Sequence, residues 1–245
     1  MSKKLYLLIF IFFFSGKAAF AQHPPAWASG ADQNDLSFGF SFSYVSNYYK
    51  ILKTPDWRSP FLDKTNGNQP VTSYLNSLTS PNAPGFAIGF LSRYRITEHL
   101  EVRFTPSLVF ADRDLYYAYV DPSQDVTKSV QTTTVDFPLL LKLKSDRIGD
   151  FRGYLIAGAK YSYAIGADKP DPDDDLLDKT VKNVTKYGSY EAGAGCDIYF
   201  EYFKLSPELK ISNSFSNVLV QENQPFSTPI SKLFLHSLMF SLYFE

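Results

Sequence analysis

Leu36-Ser-Phe-Gly-Phe-Ser-Phe-Ser-Tyr44 alternates a large apolar residue with a small or polar one at every step. Successive side chains of a strand point to opposite faces, so this run has one greasy face and one face of small polar groups. The C-terminal run repeats the design, with Leu238, Phe240, Leu242 and Phe244 set between Met239, Ser241 and Tyr243. An outer face fit for lipid and an inner face fit for a polar interior are what a membrane-spanning β-barrel requires.

Working outward from these two runs, the same pattern marks eight strands at 36–45, 85–96, 100–111, 132–144, 153–165, 188–198, 203–212 and 233–244. The connections after the second, fourth and sixth are short; those after the first, third, fifth and seventh are long, at 46–84, 112–131, 166–187 and 213–232. A soluble sandwich has no reason to put every long loop at one end. The reading is all-β: an eight-stranded antiparallel transmembrane β-barrel, an up-and-down meander with short periplasmic turns and long external loops.

The N-terminus supplies the address. Lys3 and Lys4 precede an apolar core from Leu5 to Phe14, and Ala19-Phe20-Ala21 offers small residues before a cut between Ala21 and Gln22. That is the pattern of an export signal, and the apolar run is about half the roughly 20 residues a spanning helix needs. Three segments follow: a signal peptide at 1–21, a periplasmic segment at 22–35 and a barrel domain at 36–245. The expected location is the bacterial outer membrane, a multi-pass barrel with both termini periplasmic. The chain carries 24 basic and 25 acidic residues, and loss of Lys3, Lys4 and Lys17 with the signal leaves 21 against 25. This gives no footprint for nucleic acid. With Cys196 as the one thiol, no intramolecular disulfide can form.

Strand parity points a set of charges inward: Arg93, Arg95, Glu101, Arg103, Asp136, Lys142, Lys144, Glu191, Asp197, Lys204, Glu208 and Lys210. A three-residue turn at Thr97–His99 sets Arg95 opposite Glu101 as an ion pair and Arg93 opposite Arg103, a repulsion that calls for Asp136 or Glu191 as a third partner. At the hairpin around Tyr199–Tyr202, one register pairs Asp197 with Lys204 and Glu191 with Lys210. Eight strands enclose an interior barely wide enough for its own side chains, so charges of both signs should interlock rather than line a pore. Pro106, Pro138 and Pro207 interrupt strands and are read as bulges or water-bridged gaps. Tyr44, Tyr48, Tyr49, Tyr116, Tyr117, Tyr119, Tyr163, Tyr187 and Tyr190 form an outer aromatic belt, and Tyr94, Tyr199, Tyr202 and Tyr243 an inner one.

Chemistry is sparse. His236 beside Ser237 is the one pairing suggestive of a lipid-modifying enzyme, but His236 shares the parity of the lipid-facing Leu238 and Phe240, so no enzyme is expected. No cofactor or metal spacing is present. The acidic stretch Asp171, Asp173, Asp174, Asp175 and Asp178 lacks the glycine-turned spacing of a calcium loop and is read as a solvated external loop, with divalent-ion binding left open.

Gly85-Phe-Ala-Ile-Gly-Phe-Leu-Ser-Arg-Tyr-Arg-Ile96, Leu100-Glu-Val-Arg-Phe-Thr-Pro-Ser-Leu-Val-Phe110 and Val135-Asp-Phe-Pro-Leu-Leu-Leu-Lys-Leu-Lys144 carry a resemblance, continued by Gly193-Ala-Gly-Cys-Asp197, Leu205-Ser-Pro-Glu-Leu-Lys210 and Ala111-Asp-Arg-Asp-Leu-Tyr-Tyr117. Across the mature chain these resemble the PorT family, small outer-membrane barrels that are accessory proteins of the type IX secretion system. The resemblance implies a non-enzymatic part in exporting secreted proteases, adhesins or gliding-motility proteins, without being the translocation pore. Its implied partners are outer-membrane lipid and other secretion-system proteins, with no small-molecule substrate and no catalytic residues. The alternative is a structural or adhesive small barrel that binds ligands through its long external loops.

Overall fold

Eight antiparallel strands close into a ring. They are β1 (Leu36–Lys53), β2 (Ala83–Arg95), β3 in two segments (Leu100–Phe104 and Ser107–Ala111), β4 (Thr133–Lys144), β5 (Phe151–Ile165), β6 (Lys186–Tyr199), β7 (Lys204–Ser214) and β8 (Ile230–Phe244). Each pairs with its chain neighbour, and β8 returns to β1 in a register running from Phe40↔Phe244 to Leu52↔Lys232, which leaves no free edge. The computed structural model describes residues 32, 34–63, 67–130, 132–165 and 175–245. The expected signal peptide with its expected Ala21/Gln22 junction, nearly all of the expected periplasmic segment 22–35, and Asp171, Asp173 and Asp174 lie outside the described residues.

Alternation decides which way each side chain points. Phe38, Phe40, Phe42 and Tyr44 are exposed on the outside of β1, as are Leu139, Leu141 and Leu143 on β4, while Ser41, Val45 and Lys142 are buried within. An aqueous protein would pay heavily for that apolar outer wall; a bilayer makes it the favourable surface. The outer ends run further than the sequence reading placed them. β1 has 18 residues, against the roughly 9–11 that a tilted strand needs to cross a bilayer, so it continues beyond the membrane.

Each proline marks an interruption in the ladder. Pro106 separates the two segments of β3, and the carbonyl of Pro138 accepts the amide of Thr105 at 3.4 Å beside that break. The amide and carbonyl of a strand residue point to the same neighbour. The missing N–H of Pro138 therefore faces the place where β3 is already broken. Pro207 sits where β6–β7 pairing lapses between Gly195↔Glu208 and Ile198↔Leu205.

The long connections are folded, not loose. Leu75–Thr79, Arg113–Tyr119 and Val126–Val130 form a three-stranded sheet above the barrel, and Lys182–Asn183 pairs with Leu219–Val220. With the outer ends of β1, β6 and β8 they bury one hydrophobic cluster that includes Tyr49, Leu115, Tyr117, Tyr187, Val218, Phe226 and Leu233. The tyrosine belts are corrected accordingly. Tyr94, Tyr44 and Tyr202 stand outside, whereas Tyr49, Tyr117, Tyr119 and Tyr187 pack in this external core, and Tyr199 and Tyr243 are buried inside the barrel.

Candidate functional site: charged lumen and external cap

Inward parity brings the charged side chains into one stack along the barrel axis. At the periplasmic end, Arg93 binds Glu101 at 3.0 Å and also Glu245, and Lys144 reaches the same Glu101. Lys204 binds Glu245 at 2.6 Å and Asp32 at 3.4 Å, and Asp32 also lies 3.4 Å from Arg93 and 3.7 Å from Arg152. Burial opposes ionisation of Asp32, but Lys204, the Tyr199 hydroxyl, Lys144 and Arg93 outweigh it and hold its carboxyl well below the usual carboxylate range.

Midway up, Lys142 donates to both oxygens of Asp197 at 2.7 Å, and the Ser206 hydroxyl donates to the same group at 2.6 Å. Arg103 donates to Glu208 at 2.7 Å, while the Tyr154 and Tyr243 hydroxyls donate to Glu208 at 2.9 and 3.2 Å. Arg103 also lies over the Tyr243 ring, 4.5 Å from its centroid. Higher still, Lys160 bridges Asp136 at 2.9 Å and Glu191 at 3.0 Å, and Lys210 binds Glu191 at 3.0 Å. Arg93, Arg103, Lys142 and Lys204 are each fully buried, so the described bore is filled by protein rather than by a water column. A cavity of about 10 Å³ near Asn47, Arg113 and Asp136 has room for about one water.

Several inferred pairings differ in detail. The β2–β3 hairpin has the register read from the sequence, Arg95↔Glu101 and Arg93↔Arg103. Arg95 nevertheless turns away from Glu101 to bind Asp35 at 2.8 Å, because Glu101 is already taken by Arg93 and Lys144. The repulsion between Arg93 and Arg103 is relieved by Glu101 and Glu245 on one side and Glu208 on the other, not by Asp136 or Glu191. The β6–β7 hairpin is shifted by two residues from the inferred register, placing Tyr199 opposite Lys204. Glu191 and Lys210 still meet diagonally, whereas Asp197 takes Lys142 and Lys204 takes Glu245. Lys160, Tyr154 and Arg152 escaped the sequence reading although β5 parity marks all three as inward. Asp32 and Glu245 lie beyond the strand ends, where parity carries no information.

His236 and Ser237 sit on opposite faces of β8. His236 packs on Tyr48 at 4.6 Å between ring centroids and contacts Asn213, while the Ser237 hydroxyl donates to Asn47 inside the barrel at 2.6 Å. They cannot act on one substrate. Among the described residues no group of three or more His, Cys, Asp or Glu side chains could hold a metal ion.

Above the lumen, the cap is secured by polar contacts as well as by its core. The Tyr117 hydroxyl donates to the Phe226 carbonyl at 2.6 Å, Lys128 donates to the Leu177 carbonyl at 2.6 Å, and Lys182 binds Glu222 at 2.5 Å. These bonds join different external loops. Burial raises the Tyr119 hydroxyl to about 12, with Asp125 adding to the effect, so the ring stays neutral.

No curated protein matches the chain. Among solved structures, the outer membrane protein OprG from Pseudomonas aeruginosa is similar at 12% identity and a TM-score of 0.46, over 85% of this chain and 93% of that one. Neisserial surface protein A is similar at 11% identity and a TM-score of 0.42, over 86% and 98%. The outer membrane protein beta-barrel domain description matches residues 20–220. Matched over well over half its length, and closed into a lipid-faced ring whose termini share the periplasmic end, the chain belongs to the outer membrane protein beta-barrel domain family.

Proposed function

We propose that this non-enzymatic outer-membrane barrel serves as a rigid pedestal whose folded external cap binds ligands outside the cell. One observation carries the reading: four long connections bury a shared hydrophobic core in place of trailing as separate loops. A preorganised surface loses less entropy on binding than mobile loops do. The inward charges act as a structural plug that stiffens the base, with Arg93, Arg95, Glu101, Arg103, Asp136, Lys142, Glu191, Asp197, Lys204 and Lys210 in that role. In this reading residues 1–21 are removed on export, 22–35 stay periplasmic and 36–245 form the barrel domain. Whole cells carrying the protein with residues 54–82 replaced by a tight turn should lose binding to a host or matrix surface while the barrel keeps its heat-dependent gel mobility. Undiminished binding would overturn the reading.

A second reading, accessory work in type IX secretion, is supported by the resemblance of residues 85–96, 100–110 and 135–144 to the PorT family. Its test is deletion of the gene. Secreted proteases, adhesins or gliding proteins should accumulate as periplasmic precursors, and normal secretion would dismiss it.

A further inference from the structure

Beside the cap core, the segment leaving β1 and the segment entering β8 enclose a pocket of about 400 Å³ that opens at the external pole. Its walls are fixed by backbone bonds. The Thr54 amide donates to Pro229 at 3.0 Å, the Val71 amide to Phe61 at 2.8 Å and the Leu75 amide to Arg58 at 2.9 Å. Trp57 packs against the cap core and is held by Lys53, 4.0 Å from the ring centroid, and by Arg58 at 5.0 Å. The pocket therefore exists before any ligand arrives, and its size lies within the range of small-molecule sites.

The lining narrows the ligand class. Trp57, Phe61 and Pro225 supply flat apolar surface, and Asp56, Ser59 and Asn223 supply short polar groups. The side chains of Asp56, Ser59 and Asn223 make no hydrogen bond or ion pair among the described residues. A purely apolar ligand would bury these groups unpaired. An anion would meet the Asp56 carboxylate, and a cation would meet one carboxylate alone with the Lys53 and Arg58 cations close by on the Trp57 ring. A neutral polyhydroxylated ring suits both halves, its C–H face on the aromatic and proline surface and its hydroxyls on the carboxylate, hydroxyl and amide. We propose that this pocket binds a neutral saccharide of one or two rings, an inference that rests on the cap-binding reading above and names its ligand class.

The test uses the mature protein in lipid nanodiscs. The chain has two tryptophans, Trp27 and Trp57, so a Trp27→Phe background leaves Trp57 as the reporter. Maltose, lactose, cellobiose and chitobiose are titrated, with sodium sulfate and a proline-rich peptide as comparators. At least one disaccharide should shift Trp57 emission saturably. Asp56→Ala and Asn223→Ala should each weaken that response roughly tenfold, the cost of about one hydrogen bond. Because neither side chain has an internal partner, both variants should keep the parent's heat-dependent mobility. No response to any of the four sugars, or a response to sulfate or peptide alone, would overturn the proposal. If cap removal abolishes cell-surface binding but sugars leave Trp57 unmoved, the saccharide inference fails and cap binding stands. If sugars bind with the predicted variant losses but cap removal leaves cell binding intact, the pocket stands and the wider reading fails.

Discussion

Arg103 and Glu208 meet at 2.7 Å from β3 and β7, which stand diametrically opposite in the ring, four strands apart in either direction. The pair crosses the whole bore. Neither side chain is exposed, and Tyr154 and Tyr243 complete the shell of the carboxylate. Glu208→Ala leaves a guanidinium buried without its counter-ion, an error that costs about 3–5 kcal/mol. The double variant Arg103→Met/Glu208→Leu should recover most of that loss, because no charge is then stranded. Urea unfolding followed by tryptophan emission and gel mobility would show it; equal losses for the single and double variants would mean the pair is not coupled.

The same crossing pair predicts electrical silence. Reconstituted into planar bilayers, the protein should show no stable ohmic conductance, since fully buried Arg93 and Lys204 fill the bore at its periplasmic end and Arg103 and Lys142 fill it midway up. A wide, steady pore would contradict the filled interior.

Arg93 and Arg95 make a sharp comparison two residues apart. Arg93 is fully buried among Glu101, Glu245 and Asp32, so Arg93→Met should cost about 3–5 kcal/mol by taking from a buried network a cation that all three carboxylates share. Arg95 is partly exposed and binds the exposed Asp35, so Arg95→Ala should leave the unfolding midpoint close to that of the wild type. Similar unfolding midpoints for the two variants would refute the arrangement at the periplasmic mouth.

That contrast shows what was legible in the sequence. Parity placed the lipid-facing aromatics of β1 and, along β2, β3, β4, β6 and β7, most of the inward charges, because period two follows from strand geometry alone. Which charge pairs with which was harder to read. Glu101 has three cations within reach, and the choice among them depends on Glu245 and Asp32, which come from outside the strands. The two-residue error between β6 and β7 kept every side chain on its proper face, so the hydrophobic pattern could not expose it. The cap was illegible for a different reason: Leu78, Leu115, Val181 and Val218 come from four separate connections that share no period.

Acid should loosen the periplasmic mouth through Asp32. Its carboxyl titrates below the ordinary value in the folded protein, with burial opposing ionisation and Lys204, Tyr199, Lys144 and Arg93 prevailing over it. A depressed folded value means the contribution to stability is complete above the unfolded value of about 4 and fades as pH falls through the folded one. The stability gap between the wild type and Asp32→Asn should be constant from pH 6 to 8 and narrow steadily below about pH 4. A gap that widens in acid would reverse the assigned sign.

The cap should behave as a true core rather than as draped loops. Leu115 is completely buried at its centre, packed with Tyr117 and Phe226, so Leu115→Ala removes buried methyl groups and leaves a cavity. Such truncations cost about 2–5 kcal/mol, depending on how far the surroundings relax. Leu62 lies on the same pole but is 46% exposed, so Leu62→Ala should change stability by about 0.5 kcal/mol or less. The cap has its own hydrophobic cluster and the barrel is held by its ladder and lumen pairs, so the loss should fall on the cap. Limited proteolysis of the Leu115→Ala protein in nanodiscs should cut the external segments at lower urea than in the wild type, leaving the barrel band and its heat-dependent mobility unchanged. If Leu115→Ala and Leu62→Ala are cut alike, the external segments do not share a core, and the rigid platform on which ligand binding depends is lost with it.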